Sequence, residues 1–147
     1  IRPSNLFGPF DKFDPNKSKV IAALTRRFSK KEDPMLVWGD GNDVKDFLYI
    51  DDFIDGLLKI IKTNYVGAVN ICSGEKSTIR DIISSLKEVS GTNPQLEFDT
   101  TKPSMIPYRT MDRSKMFELT GWSPSFSLTE ALKRTLQWYE ENNINEN

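Results

Sequence analysis

Histidine is absent from this 147-residue sequence, and cysteine occurs once, at Cys72. The first absence removes the commonest general acid/base and the commonest metal ligand. The carboxylates show no metal-ligand spacing either, so no metal site is expected. The single thiol excludes an internal disulfide and gives no argument for secretion. No apolar run approaches a membrane span and no signal-peptide pattern opens the sequence. The expectation is a cytoplasmic protein without a membrane partner. An excess of one charge is lacking too: 20 Lys+Arg against 21 Asp+Glu give a net charge of -1. Nothing in that balance points to nucleic acid, although local basic clusters can still hold a phosphorylated small molecule. There is no Gly-x-x-Gly-x-x-Gly. None of Tyr49, Tyr65, Tyr108 and Tyr139 has a lysine four positions on, where Phe53, Val69, Asp112 and Asn143 stand.

What is present reads as one α/β unit with a real core. Asn16 and Ser18 are candidate caps for a helix with Val20, Ile21, Leu24 and Phe28 on one face. Met35 to Trp38 reads as a strand, Gly39-Asp40-Gly41-Asn42 as a turn, and Val44 to Ile50 as a second strand. Asp51 or Asp52 is the expected cap of the next helix. That helix carries Phe53, Ile54, Leu57, Leu58, Ile60 and Ile61, an apolar surface wide enough to imply burial on more than one side. Tyr65 to Cys72 is a strand candidate, with Cys72 expected as a buried small residue. Ser77 or Thr78 caps a helix closed by Gly91, and Gln95 to Asp99 is a further strand. Asp112 opens a short helix ending at Gly121, and Ser127-Leu128-Thr129-Glu130 is a capping box for the last one. The polar tail after Glu141 is expected to fray.

The candidate binding residues follow from position and chemistry. Asn5 sits past an apparent strand end, where open α/β sheets collect ligands. Lys19 and Arg27, about 12 Å apart along one helix, project in similar directions, and Arg27 offers a planar donor fork suited to a diphosphate. Trp38, Lys45, Lys102 and Arg109 add an aromatic face and three cations. Pro103 and Pro107 stiffen the loop between the last two, lowering the entropy lost on closure.

Ser4-Asn5-Leu6-Phe7-Gly8-Pro9, then Ser18-Lys19-Val20-Ile21-Ala22-Ala23-Leu24, Arg26-Arg27-Phe28, Val37-Trp38-Gly39-Asp40-Gly41 and Phe47-Leu48-Tyr49-Ile50-Asp51-Asp52 occur in an order that resembles nucleotide-sugar epimerases and reductases. The resemblance is to the C-terminal, substrate-binding part of this extended short-chain dehydrogenase/reductase family, with remnants of the Rossmann-type domain. It runs along essentially the whole chain. The closest branch acts on GDP-4-keto-6-deoxymannose; UDP- or dTDP-sugar epimerases and dehydratases come next, and a non-catalytic nucleotide-sugar binding module is the reading from another class. The resemblance implies cofactor contacts at Ser4, Asn5, Leu6 and Lys19, the last standing where the branch has a histidine. It implies nucleotide-sugar contacts at Arg27, Trp38, Lys45, Lys102 and Arg109, with Lys45 replacing an arginine. The family's glycine-rich turn and Tyr-x-x-x-Lys pair are missing, so no catalytic residue is assigned here. The expectation is that residues 1–147 form one piece of a longer, NAD- or NADP-dependent, homodimeric parent enzyme. The piece alone is expected to be inactive and to hold no cofactor. Residues 51–72 are expected to pack with the missing N-terminal Rossmann domain.

Overall fold

The computed structural model describes residues 1–102 and 106–142; Pro103 and the end of the polar tail lie outside the described residues. The chain opens with two short strands, β1 (Arg2–Pro3) and β2 (Asn5–Phe7), and reaches helix α1 (Val20–Ser29) through a long turn. Strands β3 (Met35–Trp38), β4 (Val44–Lys45) and β5 (Phe47–Tyr49) precede helix α2 (Ile50–Ile61). Then come β6 (Asn70–Ile71), β7 (Ser77–Thr78), helix α3 (Ile79–Ser90), β8 (Leu96–Asp99), β9 (Tyr108–Arg109), α4 (Ser114–Thr120) and α5 (Leu128–Asn142). The class is α/β, as expected.

Pairing is mostly parallel, which requires the intervening helices as crossovers. β1 pairs with β6, β2 with β5 and β3 with β8, all parallel. β4 lies between antiparallel β7 and parallel β9, with Lys45 opposite both Ser77 and Arg109. Two cores result. In the first, α1, α3 and α5 pack together over β2, β3 and β5, burying Ile21, Phe28, Ile82, Leu86 and Leu132. In the second, α2 and α4 close over Leu48, Val69, Ile71, Met116 and Trp122. Among the described residues no helix is long and apolar enough to cross a membrane.

Local signals acted as read where they are self-contained. Thr78 and Asp81 form a reciprocal capping box at the start of α3, and Gly91 closes that helix at φ 65°. Of the expected Ser127–Glu130 box, one half is seen among the described residues: the Ser127 hydroxyl accepts from the Glu130 amide at 3.2 Å, while the Glu130 carboxylate accepts from Arg134 at 2.8 Å. Four expectations need correction. Lys19, not Asn16 or Ser18, is the residue before α1, and its side chain caps nothing. The Ser18 amide instead donates to the Asp14 carbonyl at 2.9 Å, which makes the approach a turn. Asp51 and Asp52 lie inside the first turn of α2, whose N-terminus has no side-chain cap. Asp52 is buried and accepts from the amides of Ser125 (2.7 Å) and Phe126 (3.3 Å), so it fastens the approach to α5 onto α2. The expected strand from Val44 to Ile50 is broken at Asp46, and that from Tyr65 to Cys72 shortens to Asn70–Ile71. At Asp46 the chain changes partner, its amide donating to the Arg109 carbonyl (3.1 Å) and its carbonyl accepting from the Asn5 amide (3.2 Å), whereas β6 pairs with β1 over Asn70 and Ile71 alone.

α2 also buries one side within this chain, not two. Phe53, Leu57 and Ile60 pack on the second core, whereas Ile54, Leu58 and Ile61 are 47%, 54% and 66% exposed.

Candidate functional site

The parallel pairing of β2 with β5 brings Asn5 opposite Phe47 and next to the break at Asp46. The Asn5 amide N–H (3.2 Å) and its Nδ2 (2.7 Å) both donate to the Asp46 carbonyl. Its Oδ1 accepts from Arg109. The carboxylate of Asp46 points the other way. It accepts from the Ser73 amide (3.0 Å), the Ser73 hydroxyl (2.9 Å) and the Gly74 amide (2.9 Å), and the residue is 1% exposed. Asp46 therefore ties the start of β5 to β2 and to the loop after β6. Sequence reasoning missed it. The available signal was a carboxylate heading an apolar run, a position that also suits a solvated strand end.

Asn5 borders two cavities. One, of about 200 Å³, is lined by Pro3, Ser4, Asn5, Asp46, Arg109 and Met111. The Ser4 hydroxyl is buried and without a hydrogen-bond partner, so it is free to bond a ligand atom. The other, of about 100 Å³, includes Asn5, Leu6, Phe7 and Lys19. Thus Ser4, Asn5, Leu6, Lys19 and Arg109 meet around one residue.

Lys45 reaches the same neighbourhood through the β4–β9 register, directly opposite Arg109. Its ammonium donates to the Ile106 carbonyl and lies 3.3 Å from the Asp43 carboxylate. On the other face of this small sheet, the Lys76 ammonium lies 5.7 Å from the centre of the Tyr108 ring. A hydrogen bond from Lys76 lowers the Tyr108 pKa, with a bond to Thr110 adding to it. This pair was not anticipated either, because Lys76 and Tyr108 are far apart in sequence.

Trp38 ends β3 with its ring 71% exposed. The Asp99 carbonyl accepts from the amides of Gly39 (2.9 Å) and Lys102 (3.3 Å), so the turn after β8 folds back over the end of β3. The Lys102 ammonium thereby sits 5.6 Å from the centre of the Trp38 ring, a cation–π contact. Hydrogen bonds from the Thr101 hydroxyl and amide hold the Asp99 carboxyl below its usual range.

Arg27 closes the last turn of α1. Its Nε (2.8 Å) and one Nη (2.6 Å) donate to the two oxygens of Glu32, and the other Nη donates to the Leu36 carbonyl in β3. So Lys45 and Arg109 stand side by side, Lys102 stands over Trp38, and Arg27 is held two residues back along β3. Among the described residues no hydrogen bond or ion pair joins these three groups. Cys72 is fully buried, as expected, and burial pushes its thiol up to about 11, with Asp46 adding to the effect. It is protonated and unreactive near neutral pH.

The comparisons agree with this architecture. Residues 1–72 match the NAD dependent epimerase/dehydratase family, and the chain belongs to that family, whose fold is of the extended short-chain dehydrogenase/reductase type. GDP-L-fucose synthase 1 of Arabidopsis thaliana is 40% identical over 149 residues, covering 97% of this chain and 46% of the relative. GDP-L-fucose synthase of Escherichia coli is 31% identical over 156 residues, covering 97% and 48%. Among solved structures, a GDP-L-fucose synthetase from Naegleria fowleri bound to NADP superposes with a TM-score of 0.88 at 26% identity, over 96% of this chain and 46% of that one. A UDP-glucose 4-epimerase from Thermotoga maritima with UDP-glucose gives 0.84 at 27% identity, over 97% and 45%. The chain therefore spans less than half the length of these relatives.

Proposed function

We propose that this chain is the nucleotide-sugar-binding part of an NAD(P)-dependent epimerase/reductase of the GDP-L-fucose synthase kind, acting on GDP-4-keto-6-deoxymannose. The observation that carries the reading is the Lys45–Arg109 pair beside the Asn5 cavities, in a chain 40% identical to GDP-L-fucose synthase 1. Two adjacent cations suit a diphosphate: the Arg109 fork gives directional bonds and Lys45 adds charge. Trp38 with Lys102 offers a flat, positively edged surface for the base or sugar, and Arg27 stands behind it.

The residues fit one edge of a dinucleotide. The unpaired Ser4 hydroxyl, the Asn5 backbone, Leu6 and Lys19 would hold that edge, whereas the chain carries no glycine-rich phosphate turn. Bound NADP or NAD supplies hydride exchange with a sugar carbon. The share of Arg27, Lys45, Lys102 and Arg109 is to fix the diphosphate and nucleotide so that the sugar is oriented toward that edge. Without Tyr-x-x-x-Lys or histidine, proton transfer belongs to residues elsewhere in a longer, homodimeric protein. Residues 51–72 face that remainder, and the chain alone oxidises no NADPH.

A UDP- or dTDP-sugar reading is favoured by one observation: Lys45 stands where the fucose-synthase pattern has an arginine. Calorimetric titration of this chain with GDP, UDP and dTDP separates the two. GDP should bind tightest, and Arg109→Ala should weaken it about tenfold or more, the loss of one charge-assisted bond. Tighter binding of UDP or dTDP selects the second reading. Binding of none of them, or NADPH oxidation by the pure chain, overturns the proposal.

A further inference from the structure

The Arg27 fork, taken above as part of the diphosphate site, already holds an anion. Two oxygens of Glu32 accept from Nε (2.8 Å) and Nη (2.6 Å) of Arg27. This bidentate arrangement is the one a guanidinium makes with a phosphate. The two partners are unequally placed. The Arg27 side chain is 16% exposed and the Glu32 side chain 43%. Arg27 is also anchored to the Leu36 carbonyl, so its guanidinium stays in place whatever Glu32 does.

The turn bearing Glu32 is fixed, while its side chain is 43% exposed and held through Arg27. The Glu32 amide donates to the Arg27 carbonyl at 3.1 Å. The Asp33 carboxylate accepts from the Gln95 amide at 2.9 Å, which pins the turn to the start of β8. Glu32 also borders a cavity of about 170 Å³ with Phe28, Lys31, Asp33 and Asn93. The carboxylate thus has somewhere to turn without any backbone movement. The neighbouring Arg26 leaves its buried Nε without a hydrogen-bond partner. Leu36 and Trp38 share the outward face of β3, roughly 7 Å apart along the strand, so the carbonyl that anchors Arg27 lies two residues before the exposed ring.

We propose that Glu32 is an internal competitor for the nucleotide-diphosphate site: its carboxylate occupies the Arg27 fork, and a bound diphosphate takes the fork by displacing it. Glu32 then sets the affinity of the site. A ligand must return the free energy of an existing ion pair before it gains any from Arg27. The inference rests on the diphosphate reading of this chain.

The test is calorimetric titration of GDP into the wild-type chain, Glu32→Gln, Arg27→Ala and the double variant, with thermal melts confirming that each is folded. Glu32→Gln should raise GDP affinity about tenfold, since one charged bidentate pair no longer has to be broken. In the Arg27→Ala background the same change should have no effect. Unchanged or lowered affinity in Glu32→Gln overturns the inference, as does a rise that persists without Arg27, which would mark a general charge effect. If Arg27→Ala leaves GDP binding unaltered, the inference falls while the Lys45–Arg109 reading stands. If no variant binds GDP, both fall together.

Discussion

Single residues in this chain take their roles from distant partners more than from their neighbours. Asp46 shows this best. It sits between Lys45 and Phe47, yet its carboxylate serves Ser73 and Gly74 and its carbonyl serves Asn5. Replacing it with Asn puts an NH₂ where one of three donors now points. With the loss of charge-assisted bonds, Asp46→Asn should destabilise the chain by about 3 kcal/mol. Urea unfolding should show a lower midpoint at unchanged slope. A midpoint within error of wild type would mean that the loop after β6 does not depend on this carboxylate. Asp52 behaves alike. Its place before a helix suggested capping, whereas its partners are amides of residues 125 and 126. The sequence offered no local clue to either role. Asn5, Trp38 and Arg109 could be proposed as site residues from their chemistry and order alone. Which of them touch was not legible, since that depends on the β2–β5 and β4–β9 registers.

At the scale of elements, what could be read in advance was what is closed within one helix. The capping box of α3 and three members of the expected α1 stripe, Ile21, Leu24 and Phe28, need no outside partner to be recognised, whereas Val20 of that stripe is 36% exposed. The limits of β4 to β6 depend on where a neighbouring strand stops, and there the periodicity misled. The packing of α2 onto the second core turns on Gly56, a helix-interior glycine. A Cβ there would lie 3.0 Å from Cε2 of Trp122 and 3.1 Å from Cγ2 of Ile71. Both side chains are fully buried and have no room to yield. Alanine gains about 1 kcal/mol of helix propensity over glycine, against an overpacking cost of roughly 1–3 kcal/mol. Gly56→Ala should therefore lower the melting temperature of the chain, because the helix must ride up off Trp122. A raised melting temperature would show that propensity wins and that the contact is softer than its distances imply.

At the scale of the whole molecule, the two cores of the described residues are covered unequally. The first is enclosed by α1, α3 and α5. The second is roofed by α2, and beyond it Ile54, Leu58 and Ile61 face outward, with Val66 94% and Phe117 54% exposed nearby. A stripe of three aliphatic side chains along one helix face is more than scattered surface apolarity. β1 and β6 form a two-stranded pair whose outer edges have no partner within the described residues, an invitation to further pairing. On the reading proposed above, the rest of a longer protein covers this face, and each of the three side chains, already partly buried, then gains on the order of 1 kcal/mol from burial of its remaining surface. The chain on its own leaves the stripe to water or to another copy. Sedimentation across a concentration series should therefore show reversible association. Leu58→Lys should reduce that association without lowering the thermal midpoint of the chain, because the side chain is already 54% exposed. In the longer protein the same substitution should be destabilising, since it would bury an unpaired ammonium. A chain that sediments as a monomer at every concentration, together with a longer protein indifferent to Leu58→Lys, would show that the stripe is plain surface.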